Sequence, residues 1–396
     1  MVFQMHVVGE VAGCGLERQT VFQKFACGET GGHGSCRWFF FCTIWAKICD
    51  LDNLNTNLGM RHHGANDPCN WCSCNISTRS WSQFGVDAAW LSHVYSSVDF
   101  LTQVLPVHPL FTLPGVTVHT LWPDLMHVKY MGVDMYLFGS ILVYLVFTFT
   151  GNLPADSYGE RLNRVWSHCL DYDRNHAVER KSRFSNMRIG MFTKEASWRT
   201  IFPKLKGRAA EVKHFGPALL HACRQMLDPT NGDHASMILS LEMSCKIDDI
   251  LNNHPDDFML PPPVATEFQG AVFVYMNHFG ALARRFNADG RCLFNVTVKT
   301  HFLCHIALRC FALNPRRAWC FSGERFMLVQ RRMIASCARG TPTVDINLKA
   351  MEKYRHALHL AMTTDEFDVV ASDLLDEAVE EAAAGHDGAM DEDDAE

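Results

Sequence analysis

The sequence predicts a helix-rich, mixed α/β fold, on three observations. An aromatic and β-branched run, RWFFFCTIWAKICD at 37–50, reads as a buried strand that ends on an acid. From residue 156 to about 290, apolar residues recur at helical spacing, most clearly in EVKHFGPALLHACRQMLD and MILSLEMSCKIDDILNN. A C-x2-C at Cys69 and Cys72 and an H-x3-H at His301 and His305, more than 200 residues apart, each have the spacing with which a chain offers two ligands to one zinc ion.

The elements follow in chain order. Residues 1–36 show scattered Gly and Cys and no clear period, and GETGGHGSC at 28–36 lacks the Lys-Ser/Thr of a phosphate loop, so this segment reads as loop. After the strand at 37–50, NLNTNLGMRHHGANDPCNWCSCN reads as a helix and then a Cys-bearing loop. Proline punctuates 105–123, with a short alternating strand at GVTVHTLW. The stretch from Met135 to Thr150 has 16 residues without a charge. A membrane span needs about 20, so this reads as a buried core helix, and no membrane partner is expected. PPPVATEF at 261–268 reads as a break. NVTVKTHFLCHIALRC carries the histidine pair, a helix begins near Glu324, and KAMEKYRHALHLAMTT is a last amphipathic helix. No internal repeat is evident. The expected segments are 1–36, poorly defined; 37–150, a core with the Cys-pair loop; 151–290, helical; 291–363, the His pair and C-terminal helices; and 364–396, a solvated, disordered acidic tail.

Composition narrows the function classes. Of the 43 acids, 14 lie in residues 365–396, which contain no Lys or Arg, leaving 29 acids against 36 Lys+Arg in the body. The net charge of −7 therefore conceals a body of +7, which suits a polyanionic partner. The 16 cysteines are irregularly spaced, and the start MVFQMHVVGEVAGCGLERQ lacks a basic segment followed by a long apolar one. A reducing compartment is expected, nuclear or cytoplasmic and not secretory, with metal ligation favoured over disulfides.

Zinc takes four soft or borderline ligands in a tetrahedron, and Cys69, Cys72, His301 and His305 supply one such set. Four protein ligands leave no open position, so this zinc would be structural. In a chain with 16 Cys and 20 His, Cys74, His62, His63 and His127 are also available as ligands. Asp50 stands 19 residues before the cysteine pair, and Glu324 stands 19 after the histidine pair. A zinc staple would draw these two acids together, as a two-metal phosphoryl-transfer centre requires.

The strings CDLDNLNTNLGMRHHGANDPCNWCSCN, PDLMHVKYMGVDMYLFGSIL, KTHFLCH and WCFSGERFMLVQRRM occur in an order that resembles eukaryotic DDE transposases. The nearest likeness is to CACTA (En/Spm)-like and related transposon proteins. The V(D)J recombinase catalytic subunit is a more distant relative with a similar split zinc site. The resemblance covers about residues 37–340. It implies a partial RNase H-like core with a large helical insertion, DNA cleavage and strand transfer at transposon ends, structural Zn2+, catalytic Mg2+ and a possible homo-oligomer. Asp50 then looks like the second catalytic acid and Glu324 like the third, while Asp124 and His127 match the family's D-x-x-H string as an accessory part of the site.

One departure matters. The family's first acid should precede Asp50 on a strand, yet residues 1–49 contain no Asp and only Glu10, Glu17 and Glu29. Two assignments stay open. Either the first strand is missing, which makes the chain an N-terminally truncated and inactive transposase, or Asp50, Asp124 and Glu324 are themselves the triad. The first is preferred. Each acid also has a plainer reading: Asp50 and Asp124 as helix N-caps, and Glu324 as an exposed residue opening a helix. The alternative to a transposase is a non-catalytic, zinc-stabilised DNA- or protein-binding remnant of the same fold.

DNA contact is expected at basic residues with aromatic neighbours: Lys204, Lys206, Arg208 and Lys213 beside Trp198 and Phe202, then Arg316, Arg317, Arg331 and Arg332. Such phosphate contacts supply affinity and salt dependence but do not read sequence.

Overall fold

The computed structural model describes residues 2–6, 43–49, 51–62, 64–104, 108–113, 115–151, 156–176, 182–338, 340 and 342–363. It contains two compact units, Met1–Phe321 and Ser322–Glu396. Asp50, His63, most of the Gly/Cys-rich start and the acidic tail lie outside the described residues.

Helix dominates. Strand among the described residues comprises β1 (Val2–His6), β2 (Thr43–Cys49) and β3 (Leu121–Pro123), in the order β1-β2-β3. β1 runs antiparallel to β2, a strand within a segment that the sequence read as undefined. β2 runs parallel to β3, and the two end level, with Cys49 beside Pro123. The strand expected over 115–122 is shorter than its alternation suggested: Val118–Thr120 is a 3-10 turn, and only Leu121–Pro123 pairs. Thr117 caps that turn, which gives its backbone local hydrogen bonds in place of ladder ones.

The helices are α1 (Leu51–Thr56), a short α2 (Ser97–Asp99), α3 (Met135–Val143), α4 (Tyr158–Asn175), α5 (Ala209–Met226), α6 (Gly232–Asn253), α7 (Pro262–Ala288) and α8 (Val298–Arg309) in the first unit. α9 (Phe321–Ala338) begins at its last residue, and α10 (Thr343–Thr363) belongs to the second. Their starts follow from local chemistry. Ser157 and Glu160 form a reciprocal capping box at α4, and the Asn231 side chain accepts from the Asp233 and His234 amides at α6. PPPVATEF is a break only in its first residue: Pro262 opens α7, where a missing N–H costs nothing.

α3 is flanked by π-helical turns at Met126–Asp134 and Tyr144–Thr148, which make one helix of 23 residues. It is long and apolar enough to cross a membrane by composition, with mean hydropathy 1.6, but 78% of that stretch is buried inside the protein. The core helix read from the sequence is therefore present, extended at its N-terminal end. Its charges are paired within the fold. Lys129 Nζ donates to Asp134 Oδ2 (2.8 Å), Ser244 Oγ (3.0 Å) and Asp248 Oδ2 (3.0 Å). Tyr130 OH donates to Asp248 Oδ1 (2.8 Å), and Tyr275 OH to Asp134 Oδ1 (2.9 Å). This network joins the π-helical turn to α6 and α7, and every member has partners, the condition under which buried charge is tolerated.

Glycine permits two close approaches that orient the core helix. A Cβ on Gly139 would meet the backbone nitrogens of Leu205 and Lys204 at 2.9 and 3.1 Å, and the Leu205 amide donates to Met135 O across this contact (2.9 Å). A Cβ on Gly132 would meet Lys299 Cδ at 2.6 Å, where Lys299 Nζ reaches Met131 O (3.0 Å). The second contact places the start of α8, as does Phe294. That residue adopts a left-handed conformation (φ 56°), held by the hydrogen bond its amide donates to Ser140 Oγ (2.8 Å) and by packing on Phe279 and Phe286.

In the second unit, Cys337 of α9 and Ala350 of α10 are buried, and Lys353 Nζ reaches Ser336 Oγ (3.0 Å).

Candidate metal centre

The cysteine pair sits in a tight loop that several long-range bonds shape. The Trp71 amide donates to Cys69 Sγ (3.3 Å), and Trp71 O accepts from the Tyr95 amide (2.9 Å). Arg61 braces the loop from below: its amide donates to Asn70 Oδ1 (3.0 Å), and its guanidinium donates to Cys69 O (3.2 Å) and the Tyr95 hydroxyl (3.1 Å). The first residue of β3 is the hub that brings this loop to α8. Leu121 O accepts from Trp71 Nε1 (3.0 Å) and from Arg309 Nη1 at the far end of α8 (2.6 Å). Arg309 also stacks on Trp122, 4.3 Å from the ring centre.

The four residues read from the sequence as ligands meet in a buried site. Cys69 Sγ lies 3.3 Å from His305 Nε2, Cys72 Sγ lies 3.3 Å from His301 Nε2, and the two imidazole Nε2 atoms are 3.1 Å apart. α8 accounts for the last distance, because residues four apart share a helix face. The structure adds a fifth donor. Cys69, Cys72, Cys74 and His301 are all buried, with ligand atoms within 4.8 Å of one another, and this Cys3His group is able to hold a metal ion such as zinc. The sequence reading held Cys74 only as an available thiol; its nearness to the C-x2-C pair was the signal for it.

The surroundings are dry and aromatic. Trp90 packs edge-on against His301 (centroids 4.4 Å apart) and against His305 (5.2 Å), and Trp71 stands 6.0 Å from His305. Burial pushes the Cys69 and Cys72 thiols well up, whereas hydrogen bonds from those two thiols hold Cys74 down. Burial, and then the adjacent His301, push His305 well below the usual imidazole range. Such a set of donors suits a cation. A buried cluster of thiol and imidazole groups has few uncharged ways to satisfy its lone pairs, and zinc draws on four such donors at once. Both histidine Nδ1 atoms are buried without a hydrogen-bond partner, so each ring has only its Nε2 side in use.

Of the expected acids, only Asp124 has a described side chain. Asp124 is buried at the end of β3, and its carboxylate is engaged on both oxygens. Oδ1 accepts from the Met126 amide (2.9 Å) and the Cys320 amide (2.9 Å), and Oδ2 pairs with His127 Nδ1. It thus caps the π-helical turn and ties the chain at Cys320 to the sheet. Glu324 lies in α9, and Asp50 falls outside the described residues, directly after Cys49 in the sequence.

The basic residues also divide. Lys204 and Lys206 are exposed on the segment docked against α3, Lys204 above the Tyr136 ring (6.0 Å). Arg208 pairs with Glu211 (3.0 Å) at the start of α5, and Arg317 is half-buried, donating to Asp256 O (2.6 Å). Lys213 and Arg316 meet at Trp319. In the second unit, Arg331 is exposed and Arg332 half-buried.

Comparison with family models, curated proteins and solved structures finds no match for this chain.

Proposed function

We propose that the protein is a zinc-stapled, non-catalytic DNA-binding protein of DDE-transposase type. The observation that carries this reading is the meeting of the 69–74 loop with α8 across more than 200 residues of chain. Cys69, Cys72, His301 and His305 are the ligands in this reading, with Cys74 beside them. Zinc bonds of about 2.3 Å to sulfur and about 2.0 Å to nitrogen require tetrahedral edges of roughly 3.3–3.8 Å. The two sulfur–nitrogen approaches of 3.3 Å and the nitrogen–nitrogen approach of 3.1 Å are close to such edges. The metal supplies a cross-link: in zinc-finger peptides its binding is worth about 10–16 kcal/mol, which becomes folding energy. The DNA partner is supported by the order of the transposase-like strings and by the basic balance of the body. Metal analysis of the purified protein together with a salt series of DNA binding tests both parts. About one zinc per chain and an affinity that falls steeply with salt are expected; a metal-free folded protein, or no DNA binding at low salt, would reject the corresponding part.

A second reading, an Mg2+-dependent nuclease and strand transferase of Asp50, Asp124 and Glu324, draws support from one observation. β2 and β3 are parallel and end level at Cys49 and Pro123, and the next residue in the sequence of each is an aspartate. Adjacent carboxylates at strand ends suit hard Mg2+. Against it stands Asp124, whose oxygens already serve two amides and an imidazole. Nicking of labelled DNA in Mg2+ that disappears in both Asp50→Asn and Glu324→Gln would replace the first reading with this one.

A further inference from the structure

We propose that Lys213, Arg316 and Trp319 form a phosphate seat, which rests on the DNA-binding reading and locates one of its contacts. Lys213 comes from α5, and Arg316 and Trp319 from the turn that precedes α9. Lys213 Nζ lies 4.8 Å and Arg316 Cζ 4.6 Å from the centre of the Trp319 ring. Both cations also donate to the same neutral oxygen, Asn252 Oδ1, at 3.2 and 3.3 Å. Two like charges on one amide oxygen are an unbalanced arrangement, since Coulomb repulsion at this separation is not offset by a dipole alone.

The surroundings supply only part of the compensating negative charge. Asp248 is the nearby carboxylate that acts on Lys213, but its oxygens are taken by Tyr130 and Lys129. Among the described residues neither Lys213 nor Arg316 forms an ion pair. Burial pulls Lys213 down from its ordinary range, Asp248 pushes it part of the way back, and Arg316 opposes that.

Hydrogen-bonding capacity is also in surplus. Arg316 Nη1 serves Leu251 O (3.3 Å) and Asn252 Oδ1, while its Nε and Nη2 have no protein acceptor among the described residues. Lys213 uses one of its three N–H groups. The plainer role of Arg316, closing the C-terminal end of α6 at Leu251 O, uses one nitrogen of three and leaves Lys213 unexplained. Asn314 fixes the turn itself: its Nδ2 donates to His254 O and Asp257 O (both 2.9 Å), and its Oδ1 accepts from the Arg316 amide (3.0 Å). The seat is therefore built before any ligand arrives. A phosphate has the charge and the several acceptor oxygens that these free donors require. It can come from a polynucleotide backbone or from free phosphate, and the two sources are separable.

The test titrates the full-length zinc-loaded protein with pyrophosphate and, separately, with a single-stranded oligodeoxynucleotide, reading tryptophan emission and binding. A change in emission that Trp319→Phe abolishes is expected. Lys213→Gln and Arg316→Gln should each weaken binding about tenfold, the scale of one charge-assisted hydrogen bond, while Lys213→Arg restores it. Lys246→Gln, at an ion pair with Glu267 elsewhere, should bind as the wild type does. Should Arg316→Gln unfold through losing its hold on α6, Lys213→Gln decides. Unchanged binding of both probes in folded Lys213→Gln overturns the seat. Oligonucleotide binding that persists at full strength in that variant leaves the DNA-binding reading standing without it. Pyrophosphate binding with no oligonucleotide binding keeps the seat and removes the DNA partner.

Discussion

Cys72 Sγ lies 3.3 Å from His301 Nε2 although 229 residues separate them along the chain. This contact closes the first unit on itself, because the loop bearing Cys72 and the helix bearing His301 are otherwise joined through the start of β3 and aromatic packing, such as Trp71 edge-on to Phe302 (5.3 Å).

The ligand set makes separable predictions. Cys72→Ser and His305→Ala should each lose bound zinc and fall in melting temperature, and a chelator should reproduce both effects in the wild type. Cys74→Ser should keep its zinc. The reverse pattern, zinc retained in His305→Ala and lost in Cys74→Ser, would assign the metal to the Cys3His set.

Acid should release the metal and weaken the metal-free protein. His305 is depressed by burial and then by His301, so in the fold it stays neutral where an unfolded chain takes up a proton. A depressed group contributes stability above its unfolded value, near pH 6.5, and that stability is lost as pH falls from there toward the folded value. Zinc content and melting temperature measured from pH 7.5 down to pH 5 should therefore both decline. A melting temperature for the metal-free protein that is flat across this range would contradict the burial argument.

The buried network on the core helix predicts a large single-site effect. Burial alone would lower Lys129, but the Asp134 and Asp248 carboxylates outweigh it and raise the group, so the ammonium is held charged. Lys129→Met strands two carboxylates in the core, at a cost of about 3–5 kcal/mol. Urea unfolding checks this, and a loss below about 1 kcal/mol, the scale of a surface pair, would mean that water reaches the network.

Gly139→Ala tests the docking of the 203–207 segment. Its new methyl would fall 2.9 Å from a backbone nitrogen that cannot turn away, unlike the end of a side chain. Overpacking of this kind costs about 1–3 kcal/mol. A variant as stable as the wild type in thermal melts would show that the segment shifts freely.

Much of the helical architecture was legible because it is local. Caps such as Asn231 and Ser157 and the 3.6-residue period act within a few residues, whereas Pro262, read as part of a break, opens α7. β1 was not legible: VFQMH is short, and its pairing with Thr43–Cys49 crosses some forty residues of chain. The extent of the core helix was also missed at its start, where Lys129 and Asp134 interrupt the charge-free stretch and only α6 and α7 supply their partners.

The pairing of the site was legible in part. C-x2-C and H-x3-H announce ligands through spacing alone, since a tight turn or one helical turn sets the distance between neighbours. That the two halves face each other, that Cys74 stands with them, and that Asp124 is consumed as a cap depend on β3 and its bonds to Trp71 and Arg309. The chain by itself determined which short stretches are helical and which side chains are suited to a metal. The tertiary structure decided which of them meet, because contacts across hundreds of residues are set by how the core packs and not by any rule of local spacing.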